Sequence, residues 1–128
     1  MGVIHRCIDD GKTRRWEGVE VELYTSNQAT KQVLVGRKDG ANHFAIRYFT
    51  IPPHGFSSLD QHSHDHGVMV MSGRARVMLG EQFEEVGPGD VIYIPCWERH
   101  QFENLTDEPF TFLCVIPPKP IQLDQPQG

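Results

Sequence analysis

Apolar and polar residues alternate along this chain in short runs, and no stretch sustains the 3.6-residue period of an amphipathic helix. Residues 31–36 read as a strand, ended where Lys38-Asp39-Gly40 supplies Asp-Gly turn chemistry. Residues 44–51 alternate, with Phe44, Ile46 and Tyr48 on one face and Ala45, Arg47 and Phe49 on the other. Only one of Arg47 and Tyr48 therefore faces the interior, and Pro52-Pro53 ends the run. Strands over 68–71 and 74–79 flank a Ser72-Gly73 turn, with Ala75, Val77 and Leu79 on one side. A strand over 82–86 follows Gly80-Glu81 and leads into a tight loop over 87–90. Residues 91–94 read as a buried strand with Tyr93 in the core, and 101–104 and 109–116 complete the set. The N-terminal segment carrying Val19, Val21 and Leu23 is also strand-forming. The pattern predicts eight or nine short strands, no helix, and a β-sandwich or closed barrel formed by one domain over 1–116. From Pro117 the chain turns to Pro, Gln and Lys, and 117–128 reads as a tail or an arm lying on a neighbour.

Composition narrows the partners. The 128 residues are one domain's worth, and 12 Lys+Arg against 17 Asp+Glu leave a formal charge of −5. That balance lacks the clustered cations that bind nucleic acid or an anionic membrane surface, so neither is expected. Cys7, Cys96 and Cys114 are too widely spaced for a disulfide framework or a paired C-x-x-C zinc site. No apolar run reaches signal-peptide or membrane-spanning length, and a cytoplasmic setting is the expectation.

The candidate chemistry lies in the histidines. His62, His64 and His66 alternate in one segment, and His100 follows in a second, Gly89-x5-Pro95-x-Trp97-x2-His100-x3-Asn104. On a strand, His62 and His64 would point to one face about 6.6 Å apart, close enough to share an ion with bonds of roughly 2.1 Å. His66 would lie about 13 Å from His62, too far to join them on a straight strand. Either the backbone bends within 62–67, where Gly67 offers freedom, or one of the three is not a ligand.

These two segments together resemble the cupin superfamily, whose motifs are commonly written G-x5-H-x-H-x3–4-E-x6-G and G-x5-P-x-G-x2-H-x3-N. The second matches at Gly89, Pro95, His100 and Asn104, with Trp97 in place of the central glycine. In the first, Gly55 stands one residue too far from His62, and the glutamate position, counted back seven residues from Gly73, falls on His66. The same counting puts the H-x-H pair on Asp60 and His62, which makes Asp60 a competing ligand. The resemblance covers 44–116 and implies an all-β, double-stranded β-helix (jelly-roll) barrel. It points to a metal site of His62, His64, His66 and His100, or of three of them. Neutral imidazoles suit one divalent transition metal (Fe, Mn, Zn, Ni or Cu) and disfavour Mg and Ca.

The function implied is a metalloenzyme acting on a small anionic or chelating metabolite, with a dioxygenase slightly ahead of an isomerase or lyase. The alternatives are a non-catalytic small-molecule or sugar-binding module, and a structural barrel with vestigial histidines. An enzyme would show an open cavity with further polar groups converging on the metal; a vestigial site would be filled by side chains. Arg47 either points inward to hold a carboxylate or lies on the outer face. Trp97 and Phe102 flank His100 as expected pocket walls, and Cys96 reads as an extra ligand, a redox-sensitive thiol or a small buried residue. The resemblance also implies a homodimer, with Val19, Val21 and Leu23 packing or exchanging across a two-fold axis.

Overall fold

The structure is a computed structural model that describes residues 2–24 and 28–118. Eleven strands are present: β1 Cys7–Asp10, β2 Arg14–Trp16, β3 Glu22–Leu23, β4 Thr30–Val35, β5 Ala45–Ile51, β6 His66–Ser72, β7 Ala75–Leu79, β8 Gln82–Val86, β9 Val91–Ile94, β10 His100–Glu103 and β11 Phe110–Ile116. They form a six-stranded sheet ordered β3-β4-β5-β11-β6-β9, a three-stranded sheet ordered β10-β7-β8, and a β1-β2 hairpin, with every strand pair antiparallel. The all-β barrel expected from the resemblance is the architecture found. The single helical element among the described residues is a 3-10 turn over Arg37–Asp39, where the sequence predicts only a turn.

The period-2 pattern explains the layering. From the large sheet, Phe49, Ile51, Val68, Val70, Phe110, Phe112 and Ile116 face inward, and from the small sheet Ala75, Val77, Val86 and Phe102 meet them. Alternate residues face the other way, and part of that outer surface is itself covered. Tyr48 and Leu34 pack with Val19, Trp16, Ile46, Met71 and Leu113, and the Trp16 and Tyr48 rings meet edge to face at 4.8 Å. Arg47 and Tyr48 thus face opposite layers, as their spacing requires.

Several expectations are corrected. Three short strands precede β4 where the sequence points only to a strand-forming segment, because β1 and β2 carry too little apolar patterning to be seen. Val19 packs against Leu34 and Tyr48 of the large sheet and so is not available to a second copy, whereas Val21 and Leu23 are exposed. Strand β9 is buried on one face only. Ile92 and Ile94 face the core, whereas Tyr93 is 63% exposed and its hydroxyl donates to Asp65 at 2.9 Å. The outer cluster around Tyr48 contains no β9 residue, and this face of β9 is left open. With Met69 and Val115, the outward Val91 and Tyr93 form an apolar strip across β11, β6 and β9. The tail expected over 117–128 lies outside the described residues from 119 onward.

Two loop positions close the ends of β6 and β10 that lie away from the histidines. Gly73 adopts φ 81°, and a Cβ there would stand 2.3 Å from the Pro109 carbonyl oxygen, so glycine is required. Asn104, fully buried, donates from Nδ2 to the carbonyls of Ile51, Pro52 and Glu108. Its Oδ1 accepts from the Thr106 amide and hydroxyl, so one side chain ties three segments together.

Candidate metal centre and pocket

The histidines reach the site by two routes. His66 opens β6 in the large sheet, and His100 opens β10 in the small one. Residues 56–60 run back along β10, with isolated bridges Phe56–Glu103 and Asp60–His100. The second bridge is a reciprocal pair of backbone bonds of 2.9 and 3.0 Å, which places the chain for His62 two residues later. The chain bends at Ser63-His64 before β6 begins, and Gly67 lies in the regular strand opposite Tyr93. The bend required by the spacing of His62 and His66 is therefore made ahead of the strand, without Gly67.

Ligand atoms of His62, His66 and His100 lie within 4.8 Å of one another. The ring centroids are 4.9 Å apart for His66–His100, 5.4 Å for His62–His66 and 5.7 Å for His62–His100. His64 stacks on His62 at 4.9 Å with 7° between the planes and borders His66, but it is outside this group. Asp60 is also outside it; Asp60 Oδ2 accepts from Ser58 Oγ at 2.6 Å and lies 3.7 Å from His62 Nε2.

The donor chemistry fits a divalent transition ion. The Glu98 carbonyl can only accept, so His100 Nδ1 carries the proton in their 2.9 Å bond and leaves Nε2 with a free lone pair. His66 Nδ1 lies 3.3 Å from Cys114 Sγ, and its Nε2 is buried without a hydrogen-bond partner. When Nδ1–H donates to the sulfur, that orphaned Nε2 offers its lone pair. An ion with bonds of roughly 2.1 Å holds its donors at most about 4.2 Å apart, so uptake would draw the three imidazoles slightly inward. Three imidazoles so placed can hold a metal ion.

The electrostatics disfavour a positive charge on His66 and His62. Burial, followed by the nearby His100, His64, Arg47 and His62, pushes His66 down to about 3. Burial also lowers His62, against the opposing pull of Asp60. In metal-free protein the unfolded chain thus gains a proton on residue 66 near pH 6.5, while the folded chain resists it to about pH 3. This contribution to stability is fully present above pH 6.5 and is lost as the pH falls between those values. Urea midpoints of metal-free protein should decline from pH 7 to pH 5 more steeply for wild type than for His66→Gln. Parallel declines would contradict the assignment.

The cluster opens into a cavity of about 180 Å³, smaller than the roughly 300–1,000 Å³ of sites for drug-sized ligands. Arg47 lines it, pointing inward: its Nη2 donates to Cys114 Sγ at 3.2 Å, and the guanidinium lies 4.9 Å over the Phe49 ring. Phe102 lines the cavity and stacks on Phe112 at 4.5 Å. Trp97 does not line it. Trp97 is 62% exposed at φ 67°, the left-handed region that glycine occupies freely, and its amide donates to the His62 carbonyl at 2.6 Å. The turn here needs the backbone shape, not the indole, so Trp97→Gly should leave stability unchanged or raise it by up to about 1 kcal/mol. Chemical denaturation checks this, and a loss above about 1 kcal/mol would show that the indole matters. Cys96 is exposed, neither buried nor directed at the site.

Other lining residues were not apparent from the sequence. Cys114 occupies the inward parity of β11, shared with Phe110 and Phe112, which was a usable signal. Burial raises its thiol pKa, an effect Arg47 partly offsets. Lys31, Ser57, Ser58 and Tyr24 also line the cavity. Because Ser58 Oγ donates to Asp60, the 2.7 Å Tyr24–Ser58 bond runs from the phenol, giving a directed chain Tyr24→Ser58→Asp60. Burial is the main cause of a raised Tyr24 pKa, which keeps that proton in place at neutral pH.

Comparison with known proteins agrees with this fold. Residues 47–116 match the family model described as a cupin domain. The chain is 37% identical over 108 residues to the 1-methylthio-D-xylulose 5-phosphate methylsulfurylase of Rhodospirillum rubrum, covering 80% of this chain and 68% of that protein. A cupin 2 conserved barrel domain protein from Rhodopseudomonas palustris is similar at 30% identity and TM-score 0.78, with 98% and 85% of the two chains covered. A sugar phosphate isomerase from the cupin superfamily of Silicibacter pomeroyi is similar at 26% identity and TM-score 0.71, covering 80% and 73%. No helix among the described residues is long and apolar enough to cross a membrane.

Proposed function

We propose that this chain, which belongs to the cupin-domain family, is a metal-dependent enzyme that enolises a small anionic α-hydroxyketone. The observation that carries the reading is the convergence of His62, His66 and His100 on an open cavity that also holds Arg47 and the Tyr24–Ser58–Asp60 chain. A divalent transition ion bound by the three imidazoles supplies Lewis acidity toward a carbonyl oxygen. Asp60 is the group able to accept a proton from carbon, and Ser58 and Tyr24 hold its carboxylate in place. Phe49, Phe102 and Phe112 wall the cavity and limit water around the reacting atoms.

Two relatives support the substrate class: the Rhodospirillum protein is named for a ketose 5-phosphate and the Silicibacter protein for sugar phosphates. Neither name is that of a dioxygenase, so enolisation is placed ahead of the oxygen chemistry expected from the sequence. The open cavity with polar groups around the histidines weighs against a vestigial site.

Metal-loaded protein should exchange the carbon-bound protons beside the carbonyl of dihydroxyacetone phosphate or xylulose 5-phosphate in D2O, followed by proton NMR. Asp60→Asn should slow that exchange by at least about 100-fold. Oxygen uptake without exchange would replace this reading with a dioxygenase; tight binding with neither would replace it with a binding module. The homodimer is also a proposal, with the apolar strip of Met69, Val91, Tyr93 and Val115 as the face for a second copy. Light scattering should give the mass of two chains.

A further inference from the structure

One wall of the cavity carries two cations with no anion to balance them. Lys31 and Arg47 both line it, from neighbouring strands β4 and β5. Lys31 stands directly opposite Phe49, and Val33 opposite Arg47, so the two cations are diagonal neighbours on the same face, about 7–8 Å apart at the backbone. The Arg47 guanidinium leans over the Phe49 ring, which brings it toward Lys31. Among the described residues neither cation forms an ion pair. Asp60, the carboxylate of the same cavity, is turned to Ser58 and His62.

Arg47 is also poorly satisfied. Its Nη2 donates to a thiol sulfur, a weak acceptor, and its Nε is buried with no hydrogen-bond partner. Arg47 is half-buried, and a partly desolvated guanidinium without a counter-charge is costly; an arriving oxyanion relieves both the charge and the orphaned Nε. From Arg47 the path to the histidines is short, through Cys114 to His66.

We propose that Lys31 and Arg47 form a subsite for the phosphate group of the substrate, holding it on the β4–β5 wall while the reacting carbons face the histidines. The inference rests on the enolase reading above and names the residues that select its substrate. Two cations match a phosphate monoester, which is close to a dianion at neutral pH, better than they match a single carboxylate. Arginine contributes paired donors in a plane; lysine contributes a point charge.

The test is calorimetric titration of the protein as isolated, at pH 7.5, with inorganic phosphate and separately with acetate, alongside metal analysis. Phosphate should bind at least tenfold more weakly to Arg47→Met and to Lys31→Met than to wild type, with metal per chain unchanged. Acetate should bind wild type at least tenfold more weakly than phosphate does. Should Arg47→Met fail to fold, Lys31→Met decides alone, since its side chain is partly exposed. Unchanged phosphate affinity in the variants, no phosphate binding by wild type, or equal affinity for acetate would overturn the subsite. Loss of proton exchange with phosphate binding intact would instead remove the enolisation reading and leave the subsite standing.

Discussion

His100→Ala should strip the protein of most of its metal, whereas His64→Ala should retain it. Position 100 supplies the one member of the three-imidazole group that comes from the small sheet. Its backbone is locked to Asp60 by reciprocal bonds, and its Nδ1 is held by the Glu98 carbonyl, so its ring is fixed toward the other two. Losing an outer hydrogen-bond partner of a metal ligand commonly costs about 10–100-fold in affinity; losing the ligand itself should cost at least that. Elemental analysis of tag-free protein should find occupancy in His100→Ala below about one tenth of wild type, with an unchanged far-ultraviolet spectrum. Full occupancy in that variant, or equal loss in His64→Ala, would reject the three-member group.

Asn104→Ala should be the most destabilising single change in the loops. The side chain is fully buried and serves three backbone carbonyls while accepting two bonds from Thr106. Each buried polar group left without a partner costs about 1–3 kcal/mol, and water can reach some of those vacated by alanine. A loss of about 3–4 kcal/mol is expected, a large share of the roughly 5–15 kcal/mol that holds a typical domain folded. Asn104→Asp should be nearly as damaging, because it faces those carbonyls with an acceptor. Chemical denaturation measures both, and a loss under about 1 kcal/mol would mean that other groups close this junction.

The order of strands from residue 44 onward was legible because Gly, Pro and Asp-Gly break the chain where the alternation stops. His100 was legible for the same reason: Gly89 and Pro95 fix the turn that delivers it. The bend at Ser63-His64 was not, since neither residue signals a break, and spacing alone left open which of three histidines stood apart. Tyr93 looked internal because Ile92 and Ile94 flank it; it lies on the opposite face of β9, which the outer cluster around Tyr48 does not cover. Trp97 looked like a pocket wall from its closeness to His100, but a left-handed backbone turns its indole to solvent. Tyr24, Ser58 and Asp60 escaped notice as a group because they lie at strand ends and in irregular chain, where parity says nothing about direction. For Arg47, parity reduced the choice to two faces, and only the N-terminal cover over Tyr48 decided between them.

That cover limits how the molecule can be trimmed. Residues 47–116, the stretch shared with the family, would leave Tyr48 and Leu113 bare if excised, since Trp16, Val19 and Leu34 all lie upstream of it. A fragment cut at those borders would present a greasy flank to water and clump. Shortened versions made for crystallisation or fusion should therefore begin ahead of the first hairpin.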